Sequence, residues 1–176
     1  MKRTLKKEYD NLNQEIRKET SFIISNIAAG NQVQVCALYE DNFYEILTDI
    51  IKNEKESQCK SNCLWALYNF TCIKNQLYIK EMVQKGIIKI IIDRFNIDQG
   101  KLLACSLEAL CNILEFGKQA KNPIINNIVE KEVKELDVFN AVKNLKNNSN
   151  EEEEIYQGLI KKILTKYSRM YNINNI

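Results

Sequence analysis

Three stretches of this chain read as one helix written three times. EIRKETSFIISNIAAGN at 15–31, ESQCKSNCLWALYNFTC at 56–72 and KLLACSLEALCNILEFG at 101–117 line up without gaps on their internal asparagines, and Asn26, Asn69 and Asn112 stand 43 residues apart. The chemistry around each asparagine keeps that register. Ile24, Leu67 and Leu110 precede it by two residues, and Ile27, Phe70 and Ile113 follow it directly. Between the copies run two shorter helical patterns, Gln34 to Asp41 and Tyr44 to Lys52 in one unit, Gln76 to Gln84 and Ile87 to Phe95 in the next, with Gly86 as the turn between them. Each full unit is therefore three helices, and a unit of that size buries its apolar faces only against its neighbours.

A repeat of roughly 40 to 47 residues with two or three helices is the spacing of armadillo and HEAT arrays. The predicted fold is all-α, a solenoid in which the long third helices stack and line a concave groove. Composition agrees: one Pro and five Gly in 176 residues are too few for a chain built on tight β-turns. The unit boundaries follow from the period: a partial repeat at 1–31, full repeats at 32–74 and 75–117, and a capping repeat at 118–176, together one domain.

Several function classes drop out. The absence of His removes Ser-His-Asp and Cys-His catalysis and every His-ligated zinc site. No paired-carboxylate motif, phosphate loop or nucleophile-base pair replaces them, so no enzyme activity and no cofactor are expected. With 25 basic and 23 acidic residues the formal charge is +2, which makes no chain-wide case for nucleic acid or an anionic membrane. The longest apolar run, 86–92, is interrupted by Lys89 and is far short of the ~20 residues of a membrane span. No secretory apolar core follows MKRTLKKEYDN, and six Cys scattered through apolar stretches read as an intracellular, reducing setting. Cys59 and Cys63, four apart, could form half of a metal site with Cys105 and Cys111; without a CxxC pair they read instead as small buried hydrophobes. No metal site is expected.

The repeated asparagines are the candidate site. Asn is a poor helix former whose amide needs partners if buried. A ladder of amides along a groove can hydrogen-bond the backbone of an extended peptide; alternatively these residues bond neighbouring loops and tie repeats together. One turn before each stand Phe22, Trp65 and Glu108. A Trp one turn from an Asn makes a slot whose indole face holds the stem of a Lys or Arg and attracts its cation, while the other reading of Trp65 is a core aromatic. The helix already carries a separate apolar stripe through Cys63, Leu67 and Phe70. Glu19, three residues before Phe22, could pair with the head of such a guest. The candidate peptide-binding set is Glu19, Phe22, Asn26, Trp65, Asn69, Glu108 and Asn112.

These residues carry a resemblance. EIRKETSFIISNIAAGN resembles the third helix of an importin alpha (karyopherin alpha) armadillo repeat, and LWALYNF resembles the next one with its Trp-three-residues-Asn signature. VQKGIIKIIIDRF, LEALCNILEFGKQAKNP and EEEEIYQGLIKKILTKYS are similar to the end of that family. The likeness runs from about residue 14 to about residue 170 and corresponds to the end of a seventh repeat and the eighth to tenth. It implies a right-handed superhelix of three-helix repeats and a nuclear import adaptor, cytoplasmic and nuclear, whose groove receives lysine-rich localisation signals at a minor-site-like position. Carried over residue by residue, that site is Asn26, Trp65 and Asn69, with Glu19 as acidic partner and Phe22 where the family has Trp.

The departures bear on function. The family's basic segment that binds importin beta is absent, as are the repeats of the major site, so the fold is expected to be truncated at its N-terminal edge. Asn62 stands where the resemblance puts a second acidic residue, which weakens the expected cation binding. Lys2, Arg3, Lys6 and Lys7 could act as a signal mimic in cis or a localisation signal, or be a solvated N-terminus. In the closing repeat, helices are expected through Ile124, Ile125, Ile128 and Val129 and through Leu136, Phe139, Val142 and Leu145, with the last one opening at the glutamates of 151–154 behind an Asn150 or Ser149 cap. In the family that repeat meets an export receptor and nucleoporins; the acidic run is otherwise a helix start. At the other end Ile16, Phe22, Ile23 and Ile27 are expected to expose an apolar face, an edge suited to self-association or a partner subunit. The alternative to a transport module is therefore a structural subunit that keeps the armadillo scaffold for docking.

Overall fold

A computed structural model of the chain describes residues 14–73, 75–148 and 154–172. All regular structure among them is helical, and it divides into two compact units, one through Lys74 and one from Asn75.

The first unit holds α1 (Gln14–Ala28), α2 (Gln32–Glu40), α3 (Phe43–Asn53) and α4 (Ser57–Phe70). α1 packs along α4, and α2 and α3 close on α4 from their side. The stripe through Cys63, Leu67 and Phe70 is fully buried, as its spacing requires, and the Phe70 ring meets Tyr39 of α2 edge-on at 6.0 Å between centroids. Local sequence explains the helix boundaries. Asn31 and Gln34 form a reciprocal capping box, the Asn31 side chain accepting from the Gln34 backbone N–H while the Gln34 side chain accepts from that of Asn31. α2 therefore starts at Gln32, two residues earlier than its apolar pattern alone indicates. Asn42 then takes a left-handed φ of 61° to turn α2 into α3.

The second unit repeats the plan with α5 (Gln76–Gln84), α6 (Ile87–Arg94) and α7 (Gly100–Gln119), followed by α8 (Pro123–Glu135), α9 (Val138–Asn148) and α10 (Glu154–Lys162). Asn75 and Asn122 cap α5 and α8 as Asn31 caps α2, accepting from the N–H groups of Leu77 and Ile124. Gly86, at φ 85°, and Asp137, at φ 47°, make the turns into α6 and α9 that Asn42 makes into α3. In α8 the buried face runs through Ile125, Val129 and Val133, whereas Ile124 is exposed in the first turn. The glutamates of 151–153 and the proposed caps Ser149 and Asn150 lie outside the described residues, as do Lys2, Arg3, Lys6 and Lys7.

α10 continues through a π-helical turn, Ile163–Tyr167, into a short α11, Ser168–Met170. The wider turn has a definite consequence. Tyr167 donates to a Glu115 carboxylate oxygen on α7 at 2.7 Å, and Tyr171 donates to the Leu114 carbonyl at 2.9 Å. Both rings are buried, so the last helix is fastened to α7 at two points.

Candidate functional site

In the first unit α1 and α4 lie side by side, and each carries an aromatic one turn before an asparagine. Phe22 is 50% exposed and Asn26 is exposed; Trp65 and Asn69 are half-buried. The side-chain amides of Asn26 and Asn69 make no hydrogen bond with any described residue, and neither amide is sealed from solvent. Among the described residues these two amides tie no repeats together. Glu19 is exposed on α1.

The tie between the two helices is Asn62, which the sequence reading treated only as a missing acid. Its side chain is buried against α1, with Nδ2 donating to Ser21 Oγ at 3.0 Å and to the Lys18 carbonyl at 3.4 Å. Gln58 Nε2 donates to its Oδ1 at 3.1 Å. Position 62 is therefore closed to a guest cation. Arg17 supplies a second link, its Nε 3.2 Å from Glu54 Oε2 at the foot of α4. Burial pushes the Glu54 carboxyl up, but backbone N–H groups of Glu56 and Lys55 and the Arg17 guanidinium outweigh that and hold it below its ordinary value. The only sequence trace of the Asn62 link was its place 43 residues after Glu19.

In the second unit Glu108 is exposed and Asn112 half-buried on α7, one turn apart as the repeat requires. Three residues on, Glu115 accepts from Lys166 Nζ at 2.6 Å, from Tyr167 Oη and from Gln119 Nε2 at 2.6 Å. These partners, Lys166 first, hold its carboxyl below the usual value. The carboxylates on this helix thus differ: Glu115 is already engaged by the chain's own lysine, while Glu108 faces solvent.

Of the cysteines, Cys59, Cys63 and Cys111 are buried, Cys36 and Cys105 half-buried and Cys72 exposed. The Cys59 thiol donates to the Arg17 carbonyl at 3.9 Å, and the neighbouring Cys59 sulfur and burial push the Cys63 thiol up. Among the described residues no group of three or more potential ligands is placed to hold a metal, and no helix is long and apolar enough to cross a membrane.

One face of α1 differs from its repeat partners. Ile16 is 45% and Ile23 49% exposed, whereas Cys59 and Ala66, one period later on α4, are 1% and 0%. On α4, Cys59 lies against α1, with its Sγ 3.9 Å from the Arg17 carbonyl; among the described residues no corresponding helix covers Ile16 and Ile23 on α1.

These features place the chain in a known structural class. Two solved structures share the fold: a designed armadillo repeat protein in complex with the peptide (KR)4, TM-score 0.69 at 18% identity, matching over 93% of this chain and 62% of that one, and an engineered protein, TM-score 0.67 at 14% identity, over 97% and 60%. The chain is an all-α, armadillo-type array of helix triads, a scaffold class not known to be catalytic.

Within that class it is similar to importin subunit alpha-4 of Arabidopsis thaliana, with 31% identity over 160 residues, 89% of this chain and 29% of that protein. The chain spans less than a third of the length of this curated relative. No protein-family model matches the sequence.

Proposed function

We propose that the face formed by α1 and α4 binds extended, lysine-rich peptides of the nuclear localisation type, as part of nucleocytoplasmic transport. The observation that carries this reading is the pair of amides, Asn26 and Asn69, that have no hydrogen-bond partner among the described residues and each stand one turn from an aromatic ring. A helix that leaves such amides open presents donor and acceptor together, the pair a peptide backbone needs. Phe22 and Trp65 supply flat surfaces for lysine stems and cations, with indole the stronger of the two. Glu19 on α1 supplies an acidic partner for the cation, and on α7 of the second unit Glu108 and Asn112 are a separate candidate pair for peptide contact. The likeness to importin subunit alpha-4 and to a designed armadillo repeat protein in complex with (KR)4 supports a basic peptide as the ligand. By the same resemblance the protein works in the cytoplasm and nucleus, and the closing repeat receives an export receptor or nucleoporin.

Trp65 is the one tryptophan, so its fluorescence reports the slot directly. Titration with a lysine-rich signal peptide should give saturable quenching that a charge-scrambled control lacks. Asn69→Ala should weaken it by about 2- to 10-fold, the loss of one peptide hydrogen bond. An unresponsive Trp65 would sink the reading.

A second reading rests on a different observation, the exposed flank of α1 at Ile16 and Ile23. There the protein is a scaffold subunit that associates with itself or with a partner through this edge and needs no peptide. Sedimentation as a concentration-independent monomer, with no dye-binding apolar patch, would exclude it.

A further inference from the structure

The amide of Asn62 uses three of its four hydrogen-bonding positions: Oδ1 accepts from Gln58, and Nδ2 donates to Ser21 and to the Lys18 carbonyl. The Ser21 hydroxyl donates its own hydrogen to the Lys18 carbonyl at 2.7 Å. Towards position 62 the α1 surface therefore presents only lone pairs, from Ser21 Oγ and Lys18 O. Whatever stands there has to donate twice while accepting from Gln58, and a carboxylate offers no donor at all. Ser21 is fully buried and Asn62 5% exposed, so water does not replace these bonds.

The bonds fix how α4 lies along α1. Ser21 immediately precedes Phe22, and Asn62 lies three residues before Trp65 and seven before Asn69. A slip of one helical turn would displace one slot past the other by about 5.4 Å, more than the ~3.3 Å that one residue of an extended peptide spans. We propose that Asn62 is a positioning residue that sets the distance between the Phe22/Asn26 and Trp65/Asn69 slots, and with it the spacing between the two basic residues a bound peptide must carry. The inference rests on the peptide-binding reading above. Asn62 touches no ligand; it acts through the register of two helices.

The test uses the full chain and a set of polyalanine-based peptides with two lysines separated by one, two, three or four residues, read by Trp65 fluorescence. Wild type should favour one spacing over the next by about tenfold, since a misplaced lysine forfeits one cation contact. Asn62→Asp should reduce that preference to below about threefold while still binding the best peptide, because the slots remain but no longer hold one distance. Ser21→Ala removes the nearer of the two α1 acceptors and should flatten the preference in the same direction, which keeps the test decisive if Asn62→Asp folds poorly. A merely structural role lowers thermal stability in both variants and leaves the spacing preference intact; that result overturns the proposal. If wild type binds none of the peptides, the peptide-binding reading fails and takes the positioning role with it. Amide hydrogen exchange along α1 without peptide then still reports the clamp itself: faster exchange in Asn62→Asp identifies a stability link only.

Discussion

Gly117→Ala tests a tightly packed point in the second unit. Gly117 lies on α7 where Tyr171 and Val129 converge, and a Cβ there would stand 2.7 Å from Tyr171 Oη and 2.8 Å from Val129 Cγ1. Neither neighbour retreats easily. Tyr171 is fully buried with its hydroxyl bonded to the Leu114 carbonyl and Lys118 Nζ 4.2 Å from its ring centre, and Val129 is fully buried on α8. Overpacking of this kind costs about 1 to 3 kcal/mol. Displacing the Tyr171 hydroxyl adds about 1 kcal/mol, and the helix preference of Ala over Gly returns roughly the same amount. The expected result is a net loss of about 2 kcal/mol, or a Tm lower by about 4 to 8 °C for a chain of this size. Urea and thermal unfolding followed by circular dichroism measure it. Tyr171→Phe alone should destabilise by about 1 kcal/mol, but in its presence Gly117→Ala should cost less than in wild type, because the oxygen it meets is gone. A neutral or stabilising Gly117→Ala would mean that helix propensity decides this site and that α7 and the closing helix do not meet as described.

Three further outcomes are expected. Asn31→Ala removes the side-chain half of the α2 capping box, the acceptor for the Gln34 backbone N–H, and should destabilise the chain by about 1 kcal/mol in urea melts, with a null result showing that this cap adds nothing to what packing supplies. Glu115, depressed below its ordinary 4.5, adds stability that is fully present above that value and is lost as pH falls through its lower folded value. Glu115→Gln should therefore flatten the acid limb of a stability-against-pH curve relative to wild type, and parallel curves would refute the link to Lys166 and Tyr167. In thiol titration Cys72 should react first and Cys36 and Cys105 more slowly, while Cys59, Cys63 and Cys111 wait for unfolding. Burial pushes the Cys111 thiol up to about 11, so native reaction at Cys111 at neutral pH would contradict its placement.

What could be read from the chain alone follows a physical divide. Helix identity and the buried stripe were legible because a period of 43 repeats both apolar spacing and its phase, and Ile24, Leu67 and Leu110 are all fully buried. The turn at Gly86 was legible because glycine marks a left-handed residue, whereas Asn42 and Asp137 make the same turn with side chains that disguise it. The asparagines were harder. Asn31, Asn75 and Asn122 cap helices, Asn42 turns the chain, Asn62 clamps two helices, and Asn26 and Asn69 stay open. One residue type performs four tasks, and composition does not separate them. The π-helical turn left no trace, since it arises from where Tyr167 and Tyr171 must reach on α7.

Among the described residues nothing covers α1 at Ile16 and Ile23, and this has a thermal consequence. A helix supported along one side opens locally at lower cost than one enclosed on both, so α1 is the segment expected to fray first on warming. Phe22 and Asn26 travel with it. The first slot then exists only in the fraction of molecules whose α1 is seated, and affinity there falls by that fraction. Anything that covers Ile16 and Ile23 raises ligand affinity on the neighbouring face of the same helix by keeping α1 seated.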